Sequence, residues 1–389
     1  MKTRDWLRAQ LDQLQDQDLE RTLSVCPEAG GVLRDIGHRM LNLSSNDYLN
    51  LIHHPTVLQA SREALEGYGT GSGSSRLISG TLPIHEEFEA AMARHKGYSA
   101  ALIFGSGFLT SIGIISSFVG RDDAVFADRL IHASLVDGIV LSRARLHRFH
   151  HNDPQHLEDL LKKHDKPGRK MVVTESVFSM DGDLAPLREI AQLCQRYDAE
   201  MLVDEAHASG IFGPCGAGRV QELNLTDEVG LCMGTLSKGM GGYGGYVACS
   251  SLFRRWLINQ ARSFIYTTAL PPAMIGAGLG ALRVLHEDPG RGAKLLLRAS
   301  RLRHRLQEED LDTMQSASQI IPIVIGDNKK TLSISRRLKE QGILAVAIRP
   351  PTVPTESARL RLSVTYAHTD EDLAEAAETI IRTLREDKD

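Results

Sequence analysis

Residues 201–210 read MLVDEAHASG, and residues 234–242 read GTLSKGMGG. The first is a short apolar run that stops at an aspartate, with a histidine three residues on. The second sets a lone lysine among Gly, Thr and Ser. A brief apolar run closed by polar and glycine residues reads as a buried strand and the turn that leaves it. The same pattern recurs on both sides, in ALIF (101–104), AVFA (124–127), MVVTE (171–175), LCMG (231–234) and YVAC (246–249), with RLHRF (145–149) as a weaker case. Helical stretches at 107–119, 132–142, 154–164 and 186–198 separate these runs. Strands that are apolar almost throughout, alternating with helices, predict a mainly parallel sheet covered on both faces. The fold class is therefore α/β, with a large domain over 46–288.

The flanks read differently. Residues 3–23 put Trp6, Leu7, Leu11, Leu14 and Leu19 near helical spacing, which predicts an amphipathic N-terminal helix. RMLNLSSNDYLNL (39–51) begins as a strand and becomes a polar turn, so 1–45 forms an N-terminal helix and short strand. GYGTGSGSSRLISGT (67–81) is a glycine-rich segment between helices, either a loop that closes over a substrate or a plain connector. After a charged helix at 289–309, strands at 320–326, 343–348 and 358–364 and helices near 328–341 and 369–386 predict a smaller α+β domain over 289–389.

Composition narrows the function classes. The 389 residues are 42% hydrophobic and carry a net charge of −4, which excludes a strongly basic nucleic-acid binder. No stretch approaches the roughly 18 uninterrupted apolar residues of a membrane span. The N-terminus carries acids and resembles neither a signal nor a transit peptide. Five scattered cysteines with no CxxC spacing suit reduced thiols, and hence a cytoplasmic protein.

Ligands of open α/β sheets bind beyond the carboxyl ends of the strands. There the sequence sets Gly105, Ser106, Gly107 and Phe108 before a helix, then His132, then Ser179 and Asp181, then Asp204 and His207, then Thr235, Ser237 and Lys238. Glycines at a helix N-terminus suit an anion such as phosphate. A lysine for an aldehyde and an acid for a ring nitrogen suit pyridoxal 5'-phosphate (PLP). On that reading Lys238 is the amine and Asp204 keeps the pyridine nitrogen protonated. His132 could stack on the ring or donate to a substrate carbonyl, His207 and Ser179 could bond the phenolic oxygen, and Gly107, Phe108 and Thr235 would hold phosphate.

LSSNDYLNL, GSGSSRLISG, DRLIHASLVDG, VFSMDGD, VDEAHASGIFG, GTLSKGMGG, IYTTALPP, AIRPPTVP and ARLRLSVTYAH together resemble the α-oxoamine synthases, fold-type-I PLP enzymes. That family condenses an amino acid with an acyl thioester and releases CO2. The resemblance runs essentially from end to end. It implies Lys238 as the cofactor lysine, Asp204 at the pyridine nitrogen, and His132 on the ring. It implies that Ser179, His207 and Thr235 contact the cofactor, with Gly107 and Phe108 beside it. It implies Arg349 for the amino-acid carboxylate with Asn46 nearby, and Arg21 and Thr352 near the acyl substrate. Thr267 and Thr268 resemble residues that reach the phosphate in the partner subunit, so a homodimer with shared active sites is implied. The implied substrates are L-alanine and a pimeloyl thioester on coenzyme A or an acyl-carrier protein; a sister reaction such as glycine with acetyl-CoA is the alternative. One departure stands out: the family commonly shows DDAHGTG, where Glu205, Ala208 and Ser209 give DEAHASG here.

Blander readings compete at several places. Lys238 alone could be a surface lysine in a glycine turn, and Asp204 could simply cap the turn that follows it. His147, His150 and His151 look metal-like but sit where a strand passes into a turn, and no metal is expected. HEEFEAAM (85–92) lacks the second histidine of HExxH and reads as a helical surface stretch. The arginines of 289–309 read as a solvated face. DEAH also occurs in nucleotide-driven helicases, which need a GxxxxGK[ST] loop that this chain lacks.

Overall fold

The computed structural model describes residues 3–35 and 38–386. They divide into two units, one holding Asn46–Ser179 and Leu184–Leu295, the other the described residues of Met1–Ser45, Met180–Asp183 and Leu296–Asp389.

The first unit is built on seven strands: β1 (Ala100–Phe104), β2 (Ala124–Asp128), β3 (Arg145–Phe149), β4 (Lys170–Glu175), β5 (Ala199–Asp204), β6 (Leu231–Thr235) and β7 (Gly245–Cys249). They lie in the order β1-β7-β6-β5-β4-β2-β3. Alternate residues face opposite ways, so Val125, Val173 and Leu202 join one apolar cluster while Phe126, Val172 and Val203 join another. Helices Gly107–Phe118 and Ala133–Ser142 cover the first face, and Pro154–Lys163 and Leu187–Arg196 the second. β3 is at the edge, which explains its polar sequence: only Phe149 is buried along it.

The strand YVAC departs from the parallel reading. β7 pairs antiparallel with both β1 and β6, while β2–β3, β2–β4, β4–β5 and β5–β6 are parallel. The reason is length. The connection 236–244 is too short for a parallel crossover, which needs a dozen or more residues. That short return holds Lys238.

Helix Pro83–Lys96 corrects the surface reading of 85–92. Ile84, His85, Phe88, Glu89 and Met92 are all buried. The acid survives there because Glu89 accepts from Arg76 Nη1 (2.8 Å), Arg254 Nη2 (2.8 Å) and the Ile103 amide (3.1 Å). Arg76 belongs to the glycine-rich segment, so that segment is anchored into the unit at its centre.

The second unit holds the antiparallel strands Ile320–Gly326, Ala358–Ser363 and Ala347–Ile348, and a separate small sheet of Val32–Asp35, His38–Asn42 and Ile343–Leu344. Helix Asp370–Arg385 starts on a capping box, with Thr369 and Asp372 each serving the other's backbone amide. The charged helix Arg291–Gln307 is less solvated than its sequence implies. Arg291 is buried and donates to the Leu49 carbonyl at 3.0 Å, and Arg301 pairs with Asp370 at 2.8 Å. The N-terminal helix Thr3–Asp16 has the expected amphipathic spacing, yet it buries no residue within this chain. No helix among the described residues is long and apolar enough to cross a membrane.

Candidate active site

At the carboxyl ends of β2, β4, β5 and β6 lies a cavity of about 180 Å³, lined by residues of the first unit. Lys238, His207, Asp204 and His132 face into it, together with Gly107, Phe108 and Thr235. Strand register brings the acids close: Glu175 is the direct cross-strand partner of Asp204, and Asp204 of Met233.

Each side chain is held by local structure. His132 is the N-cap of helix Ala133–Ser142, its Nδ1 accepting from the Ser134 amide (3.2 Å) and meeting Ser134 Oγ at 2.8 Å. Its own amide donates to Glu175 Oε1 at 2.6 Å. Burial pushes the His132 imidazole below its usual pKa, against the pull of Asp204 and with the help of Lys238. A neutral ring whose Nδ1 accepts must carry its proton on Nε2.

Asp204 ends β5 almost fully buried, and its Oδ1 accepts the Ala206 amide at 2.8 Å. The capping role and the site role therefore coexist in one carboxylate. Burial raises its pKa, while Lys238, the Ala206 amide and His132 pull it down. Glu175 is raised well above the usual carboxylate range by burial and then by Asp204, as expected of two acids sharing one dry site.

Lys238 sits in the return from β6 to β7, its Nζ 2.7 Å from His207 Nε2. Behind it, His207 Nδ1 lies 2.7 Å from the Tyr48 hydroxyl, which donates to Asn46 Oδ1 at 3.0 Å. Thr235 Oγ1 donates to the Gly244 carbonyl at 2.8 Å and closes that return. Helix Gly107–Phe118 starts from Ser106, whose hydroxyl accepts the Leu109 amide, so its free N-terminal amides open at the cavity. A methyl at Gly107 would come within 3.3 Å of Thr235 Cβ, so the residue is kept small where the two segments converge.

Several other expected site residues do not line this cavity. The cavity lining includes neither Ser179 nor Thr267 and Thr268; Ser75 and Thr268 form an isolated antiparallel bridge. Arg21, Arg349 and Thr352 belong to the second unit, where they line a cavity of about 560 Å³. There Arg21 Nη2 donates to Thr352 Oγ1 at 3.3 Å, and Arg349 donates to the carbonyls of Asp18 and Glu20. Burial and then repulsion from Arg21 lower the pKa of Arg349. Asp181, read as a strand-end candidate, gives its carboxylate to Arg359. Of the histidine group, His147 stacks on Phe126, the amide of His150 donates to His156 Nδ1, and His151 Nδ1 meets Asp128 Oδ1 at 3.0 Å.

Sequence reasoning missed Glu175 and Tyr48. Glu175 closes MVVTE just as Asp204 closes MLVD, so the strand-end rule points to it. Tyr48 had no such signal beyond its place in the NDYL turn.

The departure DEAHASG is also explained. Glu205 is fully buried and bonds Lys96, the Val220 amide (2.8 Å) and the Cys232 thiol (3.4 Å). Gly218, at φ +104°, is required beside it, because a Cβ there would lie 1.9 Å from Glu205 Oε2. Ser209 Oγ meets the Tyr246 hydroxyl at 2.6 Å. From this turn the cavity lining takes only Ala206 and His207, so the unusual residues form a buried support behind the site.

A buried acid, a lysine, a neutral imidazole and free helix amides make a donor set that fits PLP: an amine for its aldehyde, an acid for its ring nitrogen and amides for its phosphate.

Residues 38–380 match the family described as aminotransferase class I and II. An 8-amino-7-oxononanoate synthase of Geobacter sulfurreducens is 44% identical over 383 residues, covering 98% of this chain and 98% of that protein. The solved structure of serine palmitoyltransferase from S. paucimobilis with a bound PLP–myriocin aldimine superposes with a TM-score of 0.92 at 29% identity, over 99% of this chain and 98% of that one. The 8-amino-7-oxononanoate synthase of Francisella tularensis gives a TM-score of 0.78 at 29% identity, over 90% of this chain and 99% of that one.

Proposed function

The chain belongs to the aminotransferase class I and II family, and from that premise we propose that it is a PLP-dependent acyltransferase that joins L-alanine to a pimeloyl thioester. The products are 8-amino-7-oxononanoate, CO2 and a free thiol, a step of biotin biosynthesis. The observation that carries this reading is Lys238 beside His207 in one cavity with His132 and the buried Asp204, in a chain whose relatives over its full length bear that synthase's name. In the same reading two copies form a homodimer in the cytoplasm.

Bound in the cavity, PLP supplies an aldehyde for an amine and a ring that takes up an electron pair from the adjacent carbon. Lys238 carries the amine that holds it and, once freed, takes and returns the proton at the alanine Cα. Asp204 holds the proton on the ring nitrogen, a task suited to a buried carboxylate whose other oxygen is already pinned by Ala206. His132, with its proton on Nε2, donates to the thioester carbonyl oxygen as negative charge develops there. The amides of Gly107 and Phe108, with Thr235, bind phosphate, while Ser179 and His207 steady the ring. Thr267 and Thr268 serve the phosphate in the partner subunit. Arg349 binds the alanine carboxylate through its planar fork, with Asn46 assisting, and Arg21 and Thr352 meet the acyl chain.

The test is thiol release by the purified protein with PLP, pairing alanine, glycine or serine with pimeloyl, acetyl and long-chain acyl thioesters on coenzyme A and on acyl-carrier protein. Selective turnover of alanine with the pimeloyl donor is expected. The likeness to serine palmitoyltransferase favours a second reading, a sister synthase with another acyl donor. Preference for another pair would establish that reading in place of the first.

A further inference from the structure

We propose that Glu175 is a positioning residue for the reaction, fixing the place of the His132 imidazole relative to Asp204 through the His132 backbone amide. The inference rests on the reading of Lys238 as the cofactor lysine and of His132 as the donor to the thioester carbonyl oxygen. Glu175 ends β4 at 2% exposure, and its Oε1 accepts the His132 amide at 2.6 Å. It is also the register partner of Asp204 on β5, and register partners project to the same face of a sheet. One carboxyl thus stands beside the acid for the ring nitrogen and holds the backbone that carries the imidazole.

His132 needs such a hold. The residue is exposed to the open cavity, so packing alone does not fix its ring. Hydrogen bonds do so in two stages. Ser134 meets Nδ1 with its amide (3.2 Å) and its hydroxyl (2.8 Å), which sets the ring against its own helix. The start of that helix must then be placed against the sheet. An N-cap amide has no acceptor within its helix, and here Glu175 supplies one. The turn before it is tied to β2 and β3, with the Leu130 amide on Asp128 Oδ1 at 2.8 Å and the Arg129 amide on the Phe149 carbonyl at 3.1 Å. Glu175 adds β4, the strand next to Asp204. This task needs an oxygen at the right reach and no charge. Burial and then Asp204 hold the proton on Glu175, and a neutral carboxyl still offers its carbonyl oxygen to the amide. The negative charge is left to Asp204.

Selective 15N-histidine labelling of the cofactor-free protein reads the contact directly, with the His132 amide signal identified by its loss in His132→Ala. A downfield amide signal is expected in wild type and in Glu175→Gln, and an upfield shift in Glu175→Ala. In the PLP-loaded protein, Glu175→Ala should slow thiol release about tenfold, the effect of one buried hydrogen bond left unmade. KM for alanine and the exchange of its Cα hydrogen with solvent should change little, since neither needs donation to the thioester. Glu175→Gln should recover most of the loss, and in a His132→Ala background Glu175→Ala should have no further effect. Equal losses in the Gln and Ala variants would mean that charge acts and not placement. Losses additive with His132→Ala, or an unmoved amide signal, would mean that Glu175 does not act through His132. Each of these overturns the inference. If Glu175→Ala does not fold, Glu175→Asp, one methylene short of the amide, carries the same measurements; losses of the same kind support the inference and wild-type values overturn it. A wild type with no PLP-dependent visible band, or with borohydride fixing the cofactor to another lysine, overturns the cofactor reading instead. The amide signal, read without cofactor, then still decides whether the Glu175 contact forms.

Discussion

Asp204 divides its carboxylate between structure and chemistry: Oδ1 caps the turn through the Ala206 amide, while the group as a whole lines the cavity. Asp204→Asn keeps an acceptor for that amide and removes the charge. Turnover is expected to fall by about 10²-fold or more while the unfolding temperature stays close to that of wild type, checked by steady-state kinetics and calorimetry. Lys238→Ala removes the amine from a part-buried return segment without opening the core. Turnover and the borohydride-sensitive visible band should both vanish in a folded protein; appreciable residual synthase activity would sink the mechanism. Arg349→Lys replaces a planar fork with a point charge, so KM for the amino acid should rise about tenfold with a smaller effect on kcat. Lys238, Asp204 and His132 were legible because strand-end chemistry is written in consecutive residues. Tyr48 was not, because a tyrosine in a polar turn declares no partner until His207, 159 residues away, is folded against it.

At the level of elements, the turn after β5 is held from behind by a buried ion pair. Lys96, at the end of helix Pro83–Lys96, reaches Glu205 and also donates to the Ala217 carbonyl at 2.5 Å. Lys96→Met would strand a carboxylate next to Asp204, and a loss of about 3–5 kcal/mol in unfolding free energy is expected. The double variant Lys96→Met, Glu205→Met should recover most of that loss, because hydrophobic replacement of a whole buried pair is often neutral. Denaturant unfolding of wild type, both single variants and the double variant decides it. An additive cycle would show that the pair is not coupled. The helix was readable in part, yet its burial was not, since HEEFEAAM looks like a surface sequence until Arg76 and Arg254 arrive to neutralise Glu89.

For the molecule as a whole, the two raised carboxyls set a pH dependence. Glu175 and Asp204 both bind their protons more tightly folded than unfolded, Glu175 the more strongly, through burial and repulsion from Asp204, and Asp204 through burial. Their contribution to the stability of the cofactor-free protein is complete below the ordinary carboxylate range. It is lost as pH rises through the folded values, because ionisation must then occur in a dry site. Glu175→Gln keeps an oxygen for the His132 amide and removes the titration. Its unfolding temperature relative to wild type should therefore climb as pH rises above the carboxylate range, measured by calorimetry on the cofactor-free proteins. A constant difference across that range would show that Glu175 does not titrate on unfolding.

The sequence by itself determined the α/β class, the strands and most helices, and the identity of the lysine, acid and imidazole at their ends. Those properties follow from local patterning, since burial on both faces demands continuous apolar strands and turns demand glycine and polar residues. The antiparallel direction of β7 was not part of the sequence reading, although the shortness of 236–244 leaves no room for a parallel crossover. Only the tertiary structure decided that Glu175 stands beside Asp204, that Glu205 is neutralised by Lys96, and that His207 is held between Lys238 and Tyr48. Each of these is a polar pairing between distant residues in a site with little water. Such pairings leave no periodic trace in the chain, because a buried charge or hydrogen needs one specific partner, and that partner can come from any element the fold brings near.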